Sequence, residues 1–171
     1  MTRIVAGSAK GRTLAVPKSG TRPTSERVRE ALFSRLDHMN VLDGATVLDL
    51  YAGTGALGLE AMSRGGAHAT LVEKASAAAR VASANVRSTG LPARVVTADA
   101  RTYLGARNGE ALAGDIDLVF IDPPYDIAEE DMTTVLASLG PWIVPDALVV
   151  VERSTRAPAP TWPDFLVLED Q

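Results

Sequence analysis

The stretch Thr46–Gly58, TVLDLYAGTGALG, decides the fold. Val47, Leu48 and Leu50 read as a short buried strand, followed by a glycine turn and the opening of a helix. Gly53, Gly55 and Gly58 fit the spacing G-x-G-x-x-G, in which glycine lets the backbone run close to a ligand and the helix close to the sheet. The same turn also serves plain strand-to-helix packing. Asp49 puts a carboxylate near the strand's C-terminal end, where open α/β sheets bind ligands. Glu73 ends the next apolar run, Ala69 to Val72, where it can accept both hydroxyls of a ribose. A nicotinamide dehydrogenase shares the glycines and the second acid, but its site favours an anionic pyrophosphate. Asp49 beside the glycines suits a ligand with a cationic amino group, such as S-adenosylmethionine.

From Thr46 onward, strand and helix patterns alternate, which predicts a parallel sheet of the α/β class. Strands are expected near 46–51, 68–73, 93–97, 116–122 and 147–152, and helices near 56–64, 75–89, 100–106 and 128–139. The second helix is rich in alanine and stops at Gly90, with Pro92 beyond. Ahead of the sheet, residues 3–6 and 12–16 predict two short strands bounded by Gly7 and Gly11. Residues 17–23 are expected to form a proline-bearing connector, after which Thr24 or Ser25 is expected to cap a helix running to about Asp37. Val28, Ala31, Leu32 and Leu36 form its expected apolar stripe, flanked by Arg27 and Arg29. Residues 157–163 are a proline-rich connector to a last apolar run, Phe165 to Leu168.

At 171 residues and 46% hydrophobic content, the chain can bury a core of one α/β domain. No apolar run approaches the roughly 20 residues that span a membrane, and the N-terminus lacks a signal-peptide hydrophobic region. There are no cysteines, which excludes disulfides and thiolate metal sites. His38 and His68 are the only histidines, too isolated for a metal cluster or a serine triad. These features predict a cytoplasmic enzyme without a metal. The net charge of −4 hides an asymmetry. Residues 1–35 carry Arg3, Lys10, Arg12, Lys18, Arg22, Arg27, Arg29 and Arg35 against Glu26 and Glu30, whereas the remainder is strongly acidic. A basic arm on an acidic domain predicts a polyanionic partner met by the arm, or simply a solvated face.

Two further sites carry chemistry. Asp99 and Ala100 follow the third strand, where the carboxylate can accept an adenine amino group or cap the next helix. Asp122-Pro123-Pro124-Tyr125 closes the apolar run Ile116 to Ile121. Prolines donate no backbone hydrogen bond, so they end the strand and stiffen the loop. That leaves Asp122 and the Pro123 carbonyl to accept hydrogen bonds from a planar amine, with Tyr125 as a face for a nucleobase. An ordinary Asp-Pro turn is the plainer reading.

Asp-Pro-Pro-Tyr at the fourth strand, with LDLYAGTGALGLEAMSRG at the first, resembles the amino-directed S-adenosylmethionine methyltransferases. The start, RIVAGSAKGRTLAVP, and then TRPTSERVREALFSRL resemble the RsmD family, which methylates the exocyclic N2 amine of a guanine in small-subunit (16S) ribosomal RNA. The resemblance covers nearly the whole chain, and the arm is its most family-specific part. It implies a Rossmann-like methyltransferase sheet with helices on both faces over residues 39–171, preceded by a hairpin-and-helix extension over 1–38 that faces RNA. It also implies seven strands with an antiparallel strand in the final hairpin, although this sequence stops at Gln171, one strand short of the family pattern.

The site the resemblance implies joins Asp49, Tyr51, Gly53, Gly55, Glu73, Asp99, Ala100 and Asp122 around the cofactor. Asp122, Pro123, Pro124 and Tyr125 meet the base, and Arg3, Lys10, Arg12, Arg22, Arg27 and Arg29 meet the RNA of a small-subunit particle. Three other functions fit parts of this pattern. A DNA or protein amino-methyltransferase shares the loop. A nicotinamide oxidoreductase shares the glycines, and a non-catalytic RNA-binding protein shares the arm.

Overall fold

The computed structural model describes residues 2–17, 25–106, 114–153 and 156–169. A two-stranded antiparallel hairpin, β1 (Thr2–Arg3) and β2 (Thr13–Leu14), leads to helix α1 (Glu26–His38). The sheet then alternates with helices: β3 (Thr46–Asp49), α2 (Ala56–Ser63), β4 (His68–Glu73), α3 (Ser76–Thr89), β5 (Ala93–Thr97), α4 (Ala100–Gly105), β6 (Ile116–Ile121), α5 (Glu129–Ala137) and β7 (Ile143–Val151). The strand order is β5-β4-β3-β6-β7, with every pairing parallel. The chain winds outward from β3 in one direction and then returns to lay β6 on its other side. The C-terminal ends of β3 and β6 therefore flank the point where the winding reverses, the usual ligand crevice of such sheets.

Both faces of the sheet are covered, so its strands read as near-continuous apolar runs. On one face Val47, Leu118 and Phe120 pack with the hairpin, α1 and α2 through Ile4, Leu14, Phe33 and Leu59. On the other, Leu48, Val119 and Ile121 pack with α4 and α5 through Leu104, Met132 and Leu136. Trp142 is buried there, stacked on Tyr103 at 5.0 Å and donating its indole N–H to the Leu104 carbonyl at 3.0 Å. Among the described residues, no helix is long and apolar enough to cross a membrane.

Three expectations need correction. The sheet has five parallel strands among the described residues, not seven with an antiparallel one. Residues 156–169 form no strand, and Phe165, Val167 and Leu168 stay exposed. The hairpin strands are shorter than the sequence predicts because side chains take their backbone groups. Val5 and Ala6 donate their N–H groups to the Glu60 carboxylate at 2.8 and 3.1 Å, and Ala15 exchanges two hydrogen bonds with the Asn85 amide.

The third correction concerns α1, capped by Ser25 through a bond from the Val28 N–H. Its buried face is Arg29, Phe33 and Leu36, while Val28 and Ala31 are exposed. Arg29 is 0% exposed. It pairs with Glu60 at 3.2 Å and donates to Thr2 Oγ1 and to the Arg3 carbonyl. It is therefore a structural cation and offers no charge to phosphate.

Glu60 also takes Arg64 Nε at 2.9 Å, so four donors converge on one buried carboxylate. Removing one partner of such a pair leaves an uncompensated buried charge. Arg29→Met should cost about 3–5 kcal/mol of unfolding free energy. Arg27→Ala, on the exposed side of the same helix, should stay within about 0.5 kcal/mol. Urea denaturation of both variants checks the contrast, and equal losses would refute the structural role given to Arg29.

Candidate active site

The C-terminal edge of the sheet is a row of carboxylates. β3 and β4 end in Asp49 and Glu73, β6 and β7 are followed at once by Asp122 and Glu152, and Asp99 lies two residues past β5. Strand ends are suited to this because each apolar run stops where the sheet leaves the core.

Asp49 is the most constrained of these groups. It is 1% exposed. Its Oδ2 accepts the Gly58 N–H at 3.3 Å, while its Oδ1 is buried with no hydrogen-bond partner. Burial, then the nearby Asp122 charge, pushes its carboxyl up from the usual range to about 7. Gly58 permits this arrangement: a Cβ there would lie 2.3 Å from Leu71 Cδ2. A side chain there would have to displace the buried end of Leu71.

The turn between β3 and α2 is held from the next strand. Glu73 Oε1 accepts the Gly53 N–H at 2.9 Å, and its Oε2 accepts the Ala75 N–H at 2.8 Å. Gly53 has φ +55°, and a Cβ built on it would meet nothing within 4 Å. The turn therefore borders open space at Gly53. Gly55, also left-handed at φ +85°, caps α2 without a side-chain bond. The Thr54 carbonyl between them accepts from Asn85 Nδ2 at 2.9 Å. That buried amide also holds Ala15, so it fastens the turn to the hairpin strand.

Asp99 caps α4, with its Oδ2 accepting from Arg101 N and Thr102 N at 3.1 and 3.3 Å, and Ala100 is buried in the first turn. The cap and the ligand role are compatible, since the carboxylate is part-exposed. Tyr51 is half-buried nearby; its hydroxyl is pushed up to about 12 by burial and then by the charges of Asp99 and Asp131. The Asp-Pro-Pro-Tyr loop leaves β6 as a turn closed by Ile127 N–H donating to the Pro124 carbonyl at 3.2 Å. Asp122 and Pro123 are half-buried, whereas Pro124 is exposed and Tyr125 is 69% exposed, its ring turned to solvent.

The basic residues divide. Arg3, Lys10 and Arg27 are exposed and border a broad groove between the hairpin and α1, together with Glu26 and Glu30. Arg12 is exposed and reaches the Ser88 carbonyl at 3.4 Å. Arg29 is excluded by burial, and Arg22 lies outside the described residues. The sequence reading missed Glu60 and Asn85, which hold the arm to the sheet, and Glu152. Glu152 carried a readable signal, because it ends an apolar run as Glu73 does. Among the described residues, no three potential metal ligands come together.

The family described as Conserved hypothetical protein 95 matches residues 2–171. The Escherichia coli K12 protein named Ribosomal RNA small subunit methyltransferase D is 39% identical over 163 residues, covering 94% of this chain and 79% of its own. The protein of that name from Haemophilus influenzae Rd is 31% identical, covering 99% of this chain and 87% of its own. A solved structure of a hypothetical protein from Thermus thermophilus superposes with a TM-score of 0.81 at 35% identity, over 94% of this chain and 90% of that one. Similarity of this extent, running through the arm as well as the sheet, makes the chain a member of the RsmD family.

Proposed function

We propose that the protein methylates the exocyclic N2 amine of a guanine in 16S ribosomal RNA, with S-adenosylmethionine as methyl donor. The observation that carries this reading is the buried Asp49 oxygen without a partner, at the strand end next to Asp122 and beside an open glycine turn. An ionised carboxylate in that position is unfavourable alone and is relieved by a cationic ammonium group. The residues present thus fit S-adenosylmethionine: Asp49 for its amino group, Gly53 and Gly55 for close backbone approach, Glu73 for the ribose, and Tyr51, Asp99 and Ala100 for the adenine. When bound, S-adenosylmethionine supplies a methyl group activated by its sulfonium charge.

The rest of the chemistry falls to the protein. A guanine amine is a poor nucleophile because its lone pair is delocalised into the ring. Asp122 and the Pro123 carbonyl accept hydrogen bonds from the two amine hydrogens and turn the lone pair out of that conjugation; once the new N–C bond has formed, the amine's surplus proton leaves through the Asp122 carboxylate to water. Pro124 stiffens the loop, and Tyr125 stacks on a base unstacked from its RNA helix. Orientation of this kind supplies roughly 7–11 kcal/mol of a barrier when the reactants are well held. The extension over residues 1–38 faces the RNA, within a small-subunit particle, through Arg3, Lys10, Arg12 and Arg27.

Labelled S-adenosylmethionine incubated with undermodified small subunits should yield N2-methylguanosine on nucleoside analysis. A different product nucleoside would overturn the reading. Asp122→Ala should abolish transfer in single turnover while leaving the fold and most cofactor affinity in place. Unchanged single-turnover rates in this variant would remove Asp122 from the chemistry.

Asp49 gives a pH signature. Its carboxyl titrates near 7 in the ligand-free protein, and it must be ionised to pair with an ammonium group. Below that pH, binding has to expel a proton, so affinity should fall by up to about tenfold per unit as pH drops. The folded carboxyl lies above its unfolded value of 3.8. The ligand-free protein therefore binds the extra proton and loses stability as pH rises between the two values. Calorimetry with S-adenosylhomocysteine from about pH 5.5 to 8, spanning that titration, on wild type and Asp49→Asn, checks the signature: only the wild type should show the slope.

The acidic sheet edge repels RNA, so attraction falls to the arm. Phosphate contacts release counterions, and log affinity should fall with log salt by a slope of about −0.7 to −0.9 per phosphate neutralised. Neutralising Arg3, Lys10 and Arg12 together should flatten that slope and leave cofactor affinity unchanged. Loss of cofactor affinity with an unaltered salt slope would instead make the arm a lid.

A further inference from the structure

Beside Asp122 the sheet edge carries a second carboxylate to which the reaction above gives no role. β6 and β7 pair in the register Phe120↔Val150 and Ile121↔Val151, so the next residues, Asp122 and Glu152, stand abreast one step beyond the pairing. The Glu152 N–H donates to the Ile121 carbonyl at 2.9 Å and keeps the two strand ends together. Side chains alternate along a strand, so Asp122 and Glu152 continue the face of Phe120 and Val150. These four residues border one tight cleft of about 10 Å³, with Val28 and Leu32 of α1 and Leu57 of α2, so a base meets its mouth and does not enter it. Val28 is 48% exposed, an apolar side chain given to this cleft and not to the core. Burial and the Asp122 charge both raise the Glu152 carboxyl, which marks the two acids as electrostatic neighbours.

Two carboxylates abreast at the mouth of this cleft repel each other and favour a partner that presents donors side by side. The pairing edge of guanine presents the N1–H next to the N2 amine, two donors side by side. Adenine presents a donor next to a bare acceptor nitrogen, which a carboxylate repels. Resting on the function proposed above, we infer that Glu152 is a specificity-determining residue that accepts the N1–H of the target guanine while Asp122 holds its N2 amine. The pair thereby reads the base that it prepares for methylation. Val28 and Leu32 bring α1 to the same cleft, so this helix borders the pair of acids.

The test uses small subunits whose RNA carries either guanine or 2-aminopurine at the methylated position, mapped first with the wild-type protein. 2-Aminopurine keeps the exocyclic amine but has no hydrogen on N1. Because a site built to receive a hydrogen bond rejects an analogue lacking it, wild type should transfer methyl to 2-aminopurine on the order of 100-fold more slowly, or worse. Glu152→Gln can turn its amide N–H toward the bare nitrogen. It should bring the two rates within about tenfold of each other, chiefly by slowing transfer to guanine. Glu152→Ala should slow guanine without helping 2-aminopurine. Both variants should bind S-adenosylhomocysteine as wild type does. The same rate ratio in wild type and Glu152→Gln would overturn the assignment of Glu152 while guanine methylation stands. Absence of N2-methylguanosine with the wild-type protein would overturn both.

Discussion

The buried carboxylate of Glu60 joins two parts of the chain that composition sets apart. It lies in the middle of α2, a helix buried along its whole length, and it accepts from Val5, Ala6, Arg29 and Arg64 at once. A charge placed so deep is tolerable only when its lone pairs are filled by donors, two of them cationic. Two of the four donors are backbone groups of the hairpin, and a third lies on α1. The basic arm is therefore built into the same core as the sheet. Ser63, one turn further along α2, repeats the device: its hydroxyl donates to the Ala6 carbonyl and accepts from Ala9 N–H. Since α2 begins at the glycine turn, the surface that carries the arm's charges and the turn beside Asp49 share one rigid support.

The opposite condition holds at the sheet edge. There the carboxylates of Asp49, Asp122 and Glu152 are gathered, one oxygen of Asp49 is buried without a hydrogen-bond partner, and the Asp122 charge raises the proton affinity of both its neighbours. Register enforces the gathering: Asp49 pairs with Phe120, and Phe120 with Val150, so three adjacent strands end almost level. The unfavourable electrostatics is what a cation or a donor-rich base relieves. Perturbed acids of this kind cluster where ligands bind. The protein thus satisfies one buried carboxylate fully and leaves another with an oxygen that has no partner.

Much of this was legible in the sequence because it rests on local signals. The glycine turn, the apolar runs ending in acids and the Asp-Pro-Pro-Tyr loop each announce themselves within a few residues, and the parallel sheet follows from their alternation. What was not legible depends on contacts between residues far apart. Arg29 lies on a helix among other basic residues, and only its pairing with Glu60, 31 positions later, turns it inward. That pairing rotates α1, so that Val28 leaves the expected stripe and Phe33 enters it. The shortened hairpin strands have the same origin, since Glu60 and Asn85 side chains replace the ladder that the sequence pattern leads one to expect. Asp49 was legible as a strand-end acid. Its missing partner was not, because the sequence does not record which donors fail to arrive.

Asn85 has a consequence for the order of assembly during synthesis. Its amide binds Ala15 on both backbone groups and the Thr54 carbonyl, while Glu60 and Ser63 hold residues 5, 6 and 9. The hairpin leaves the ribosome before α2 and α3, yet each of these side chains is encoded at least 54 residues after the hairpin backbone group it holds. A two-residue ladder is too short to persist alone in water. The hairpin's polar backbone therefore stays hydrated until α2 and α3 have emerged and packed on β3 and β4. The hairpin is made before the helices that hold it and is fixed in place only after them, with the sheet as the template on which it settles.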